Sequence, residues 1–181
     1  MLSRFSFLKK SDLQKEQIMK TIKNGLDKIL EIFCIAIMGI MTILVSWQVF
    51  TRYFLNDPSA KTEVLSQYLF VWLVMYGAAY VFGQRDHMAI VFIKDKFKGN
   101  VRVAADILSE IIVAIFAVGV MIYGGFISMG NQMGQTDAAL QIPMGVIYSA
   151  IAFSGVCIVF YSIYNITETI SNRNVSVKEA I

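Results

Sequence analysis

The sequence predicts an all-α integral membrane protein with four transmembrane helices, and two observations carry this prediction. The 181-residue chain is 56% hydrophobic and only 16% charged, with a mean hydropathy of +0.60, which is too apolar for a soluble domain of this size. Its apolar residues form four stretches, at 29–51, 64–83, 103–127 and 142–164. Each is close to the ~20 residues that a helix needs to cross ~30 Å of hydrocarbon. Helices are the expected spanning elements because lipid offers the backbone no hydrogen-bond partners.

The basic residues set the predicted orientation. Of the sixteen Lys and Arg, seven precede the first stretch, five lie between the second and third, and two follow the fourth. Only Arg52 and Lys61 lie between the first and second stretches, and none lies between the third and fourth. Lys and Arg near span ends stay in the cytoplasm, so both termini are predicted to be cytoplasmic. The net charge of +3 then faces anionic lipid, and a nucleic-acid partner is not expected.

The leader, residues 1–28, precedes the first span. Leu13, Ile18, Ile22 and Leu26 recur there at mostly helical spacing among lysines, which predicts an amphipathic helix in the cytoplasmic interface. A solvated leader is the alternative. The leader is too polar for a cleaved signal peptide, so the first span is expected to be retained as an anchor.

The four-span domain is predicted at residues 29–165, followed by a cytoplasmic tail at 166–181. Pro143 is expected to be a structural turn residue that opens the fourth span, where a missing amide costs nothing. His87, in the connection between the second and third spans, is the only histidine. It has no further ligands at metal-site spacing, so a structural role in that turn is expected. No metal, cofactor or catalytic group is predicted.

One face of the third span carries two carboxylates. Asp106 and Glu110 are four residues apart and therefore share a helix face. Ala114 and Ala117 continue that face with small residues suited to close helix contact. Charges at membrane depth are costly unless they face protein or water, so this face is predicted to point inwards. Trp72, near the middle of the second span, is expected to pack against another helix.

The middles of all four spans contain no charged residue. Substrate and coupling-ion sites of transporters lie near the middle of the membrane, often at broken helices. The chain is therefore not expected to transport a solute by itself.

A motif in the second span resembles a known family. The run Ser66-Gln67-Tyr68-Leu69-Phe70-Val71-Trp72-Leu73-Val74, followed by Gly77-Ala78-Ala79, is similar to the DctQ-like small permease subunit of tripartite ATP-independent periplasmic (TRAP) transporters. Arg52-Tyr53-Phe54, Glu63, His87 and Leu140-Gln141-Ile142-Pro143 support the resemblance, which covers about residues 29–165. The chain departs from the family pattern at four positions: Val64, Gln67, Ala89 and Val91 stand where charged residues are usual.

The resemblance implies a non-catalytic scaffold in a bacterial inner membrane. Such a subunit braces a large permease subunit, which takes up an organic acid with sodium. A periplasmic binding protein delivers that acid, such as a C4-dicarboxylate or sialic acid. It also implies that Arg52, Lys61, Glu63 and Gln67 lie at the outer face, near these partners, and that Trp72 and Gly77 contribute to helix packing or the subunit interface. Membrane lipids are the remaining expected partner.

Two other classes stay open at this point. A self-sufficient four-helix drug/proton antiporter would place a carboxylate centrally in its first span, whereas Glu31 lies at the edge of that span. A membrane adaptor or assembly protein would need no transport partner. A membrane enzyme is not expected, because the sequence contains no catalytic constellation.

Overall fold

The computed structural model describes the backbone of residues 2–55, 59–84 and 100–179, and the side chains of 17–55, 59–84 and 103–170. No strand occurs in these ranges, which contain one isolated bridge between Thr136 and Pro143. The helices, in chain order, are α1 Leu2–Phe50 with a π-helical continuation Thr51–Leu55, α2 Ala60–Gly83, α3 Asn100–Phe116, a π-helical segment Ala117–Gly124, α4 Gly125–Gln132 and α5 Gly145–Glu179.

The predicted four-span all-α architecture is confirmed. Within the described ranges, four helical segments are long and apolar enough to cross a membrane: Gln17–Leu55, Ala60–Gly83, Val103–Gln132 and Gly145–Ile170. The third of these is one rod built from α3, the π-helical segment and α4. The orientation of the termini stays a prediction.

Helix α5 is the centre of the bundle. It packs against α2, α3, the π-helical segment and α4, whereas α1 packs mainly against α2. The close contacts depend on small residues that let the backbones approach. A Cβ atom on Gly155 would lie 2.7 Å from Cβ of Met121, and one on Gly125 would lie 3.0 Å from the backbone nitrogen of Ala152. The third and fourth spans therefore meet almost backbone to backbone.

The helix boundaries differ from the sequence prediction in several places. The leader and the first span, predicted as separate segments, form one continuous helix, Leu2–Phe50. Pro143 does not open the fourth span but lies two residues before α5. There its carbonyl accepts the amide of Val146 at 3.1 Å, so the proline belongs to the turn that precedes the helix. The backbone of the predicted tail continues α5 as far as Glu179.

Candidate functional site

A cluster of polar side chains joins three helices at one end of the bundle. The Asp27 carboxylate on α1 accepts hydrogen bonds from the Tyr161 hydroxyl on α5 at 2.5 Å and from Nε2 of Gln84 at the end of α2 at 3.2 Å. Nζ of Lys23, one turn earlier on α1, lies 3.1 Å from the same carboxylate. We call Lys23, Asp27, Gln84 and Tyr161 the Asp27 cluster, and the end of the bundle that contains it the Asp27 end.

The local sequence explains why these side chains meet. Lys23 and Asp27 are four residues apart and share a helix face. Gln84 follows the last residue of α2, and its backbone amide donates a hydrogen bond to the carbonyl of Tyr80 at 3.1 Å. Tyr161 is fully buried, and its ring occupies the space that a side chain at position 83 would need. A Cβ atom on Gly83 would lie 2.5 Å from Cε1 of that ring.

A second polar contact lies one turn further along α5. Nδ2 of Asn165 donates to Oε1 of Glu110 at 3.1 Å, and both side chains are buried. Glu110 therefore faces α5. On the same face Ala117 is fully buried, whereas Asp106 and Ala114 are partly buried.

The opposite end of the bundle, which we call the Asp137 end, contains an ordered turn. Oδ1 of Asp137 accepts the amides of Ala139 at 2.8 Å and Leu140 at 3.0 Å. The backbone amides of Leu140 and Ala139 donate to this carboxylate and hold the pKa of Asp137 below its ordinary value, against a smaller opposite effect of partial desolvation. Gln141 closes the turn with a left-handed backbone, φ 55°. The connection between the third and fourth spans is thus a built structure around Asp137.

The residues that the resemblance assigned to partner contacts lie near the Asp137 end. Arg52 is in the π-helical continuation of α1, and the other three occupy the first turns of α2. All four are exposed: Arg52, Lys61, Glu63 and Gln67. The structure does not bring them into contact with one another in any described interaction.

Trp72 and Gly77 lie on α2, facing different surroundings. The Trp72 ring packs near Phe33 of α1, at 6.2 Å between centroids, and near Tyr76, at 5.8 Å. A Cβ atom on Gly77 would meet nothing within 4 Å. His87 lies outside the described residues, so its predicted turn role stays a prediction.

The Asp27 cluster was not predicted from the sequence. Asp27 follows a lysine-rich stretch and resembles an ordinary solvated acid, and Tyr161 resembles an interface aromatic. The spacing of Lys23 and Asp27 was visible, but the bond to Tyr161 spans 134 positions and has no local signature. Within the described residues, no group of three His, Cys, Asp or Glu side chains could hold a metal ion.

Comparison with known proteins shows which family the sequence matches. The sequence model of the family described as "Tripartite ATP-independent periplasmic transporters, DctQ component" matches residues 41–172. A protein of Haemophilus influenzae, provisionally named as a TRAP transporter small permease protein, is 27% identical over 153 residues, which cover 84% of this chain and 94% of that protein. The sialic acid TRAP transporter small permease protein SiaQ of Vibrio cholerae is 29% identical over 147 residues, with 78% and 82% covered.

Proposed function

The chain belongs to the DctQ family of TRAP transporter small permease subunits, and on this premise we propose that it is a non-catalytic scaffold that braces a large permease subunit. The four spans and the family make it a multi-pass protein of the bacterial inner membrane. The large permease would carry the substrate and sodium sites, and a periplasmic binding protein would deliver the substrate.

The position of the charged groups carries this proposal. Residues 32–51, 64–84, 111–136 and 138–167 contain no Asp, Glu, Lys, Arg or His. The buried carboxylate of Glu110 contacts Asn165, one turn beyond the level of Tyr161 and the end of α2. A transport path for an organic anion and sodium needs polar groups at mid-membrane depth. A chain with its charges at the two ends of the spans fits a supporting role.

The exposed apolar surface supports the need for a partner within the membrane. In the most apolar window of each span, 44% of residues are buried for the fourth span but only 11% for each of the other three. The outward faces of the first three spans are therefore available to a large permease and to lipid. Packing is the main attractive force between helices in a bilayer, so a scaffold subunit would use such faces to hold its partner.

The proposed substrate is an organic acid, such as a C4-dicarboxylate or sialic acid. The name of the Vibrio cholerae relative specifies sialic acid, which makes sialic acid the first compound to test. We propose that Arg52, Lys61, Glu63 and Gln67 contact the large permease or the docked binding protein. Their exposure near the Asp137 end supports this assignment, which places that end on the periplasmic side.

Affinity purification and uptake together test the proposal. A tagged copy of the chain, expressed in its own host and extracted in mild detergent, is expected to copurify a larger multi-span permease. Cells are expected to take up one organic acid from a labelled panel in sodium buffer and to lose that uptake in choline buffer or when this chain is deleted. Isolation of the chain alone, with uptake unchanged in the deletion strain, would contradict the proposal.

A further inference from the structure

The contacts that join the spanning helices through hydrogen bonds are concentrated at one end of the bundle. Among side-chain bonds with both partners in the described ranges, three connect different spanning helices. Two of them meet at Asp27, and the third joins Glu110 to Asn165 one turn away. The α1–α2 contacts nearer mid-span are aromatic, such as Phe33 against Tyr76 at 5.2 Å. The Asp27 end is thus joined by directional bonds as well as by packing.

The hydrogen bonds at Asp27 are charge-assisted, which makes them strong. The acceptor is an acidic side chain, and hydrogen bonds to a carboxylate are about twice as strong as neutral ones. The side chains of Lys23 and Asp27 are only 16% and 14% exposed, so water competes little for them. The buried ring of Tyr161 is held against Gly83, which keeps its hydroxyl oxygen beside Asp27.

The cluster also fixes how the leader runs past the end of α2. Asp27 lies level with Gln84, at the end of α2. Residues 17–26 therefore extend about 15 Å beyond that level at 1.5 Å per helical residue. Within this extension Leu26 packs against the buried core, and Nζ of Lys23 lies 5.5 Å from the ring centroid of Tyr164. The leader follows α5, which also continues past this level.

We propose that Asp27 is a positioning residue that locks the leader helix to the end of α2 and to the Tyr161 turn of α5, so that the Asp27 end of the bundle moves as one rigid body. For a scaffold, this would keep the surface presented to the large permease fixed while that partner moves. That role rests on the proposed function, whereas the lock itself does not.

A distance measurement tests the lock on the full chain, in the complex that it forms in its native membrane. Spin labels at Ile18→Cys on the leader and Phe153→Cys on α5 occupy exposed positions, in a background where Cys34 and Cys157 are alanine. They lie about 25 Å apart along the bundle axis at 1.5 Å per residue, within the range of pulsed dipolar spectroscopy.

Tyr161→Phe removes the hydroxyl and keeps the ring that packs on Gly83. Tyr148→Phe is the matched control, since it makes the same change on a partly buried tyrosine of the same helix. The lock predicts one narrow distance distribution in the parent and in Tyr148→Phe. It predicts a distribution about twice as wide in Tyr161→Phe, because a charge-assisted bond is lost.

Asp27→Ala is expected to widen the distribution at least as much as Tyr161→Phe, and the double variant no further than Asp27→Ala alone. Parent-like widths in both single variants would overturn the lock. If Asp27→Ala does not fold, Tyr161→Phe decides by itself. Because the measured quantity is a distance within this chain, failure of the lock leaves the TRAP assignment intact. Failure of uptake or copurification likewise leaves the lock intact.

Discussion

Adding one methyl group at Gly83 is the sharpest perturbation that the structure offers. The new Cβ would lie 2.5 Å from Cε1, 2.6 Å from Cζ and 2.7 Å from Cδ1 of the Tyr161 ring. Carbon atoms pack best at about 3.5–4.0 Å, so the ring or the helix must move by roughly 1 Å. The ring is fully buried and its hydroxyl is bonded to Asp27, which leaves it no free direction. Gly83→Ala therefore forces a choice between separating the helices and breaking that bond.

The expected loss of stability follows from these two costs. Overpacking a core costs about 1–3 kcal/mol, and losing a hydrogen bond to a charged group costs about 1.5–3 kcal/mol. Replacing glycine by alanine in a helix returns about 1 kcal/mol. We expect Gly83→Ala to lose about 0–2 kcal/mol if the bond to Asp27 survives, and about 1.5–5 kcal/mol if the hydroxyl leaves Asp27. For a chain of this size, loss of the bond would lower Tm by roughly 3–20 °C.

Gly77→Ala is the control, because it makes the same change in the same helix where the Cβ meets nothing within 4 Å. Thermal unfolding of both variants and the parent, followed by fluorescence-detected size exclusion in one detergent, gives the comparison. Gly77→Ala is expected to unfold at the parent temperature or slightly above it. Equal Tm values for Gly83→Ala and Gly77→Ala would refute the tight contact at Tyr161.

Three further predictions address the other polar sites. Asn165→Leu removes a donor to the buried Glu110 carboxylate and should cost about 2 kcal/mol in thermal unfolding, whereas Asn131→Leu at an exposed site should be neutral. Since the pKa of Asp137 is lowered in the fold, its stabilisation is present above the ordinary value of 3.8 and disappears as pH falls through the lower folded value. Amide exchange at Leu140 should therefore be pH-independent, after correction for intrinsic rates, down to about pH 4 and accelerate below it; acceleration already at pH 6 would contradict this sign. Arg52→Glu should lower organic-acid uptake about tenfold by reversing a charge at the proposed docking surface, and unchanged uptake would remove Arg52 from that surface.

The span count was readable from the sequence because hydropathy is a local property. Four apolar stretches of sufficient length became four spanning helices. Span ends were less accurate: α2 begins at Ala60 instead of residue 64, and the third span continues to Gln132 instead of 127. Polar residues can continue a helix once packing and capping favour it, and a proline can delay its start, so the ends of an apolar run do not by themselves fix the ends of the helix.

The contacts at the Asp27 end could be predicted only in part. Helical periodicity indicated the direction of Glu110, since its face also carries Ala114 and Ala117. The periodicity could not identify Asn165 as the partner of Glu110, because the register between two helices depends on packing between residues that are far apart in the chain. The bond of Tyr161 to Asp27 depends on the space that Gly83 leaves for the Tyr161 ring. The sequence contains twelve glycines, and nothing in it indicates which of them a tyrosine ring packs against.

Reconstitution tests the central claim most directly. Proteoliposomes would contain this chain alone, the copurified large permease alone, or both, with the cognate binding protein and labelled sialic acid outside and an inward sodium gradient. The account predicts uptake with both subunits, little uptake with the permease alone, and none with this chain alone. Sodium- or proton-driven transport by this chain alone would contradict the scaffold role, and so would full uptake by the permease without it.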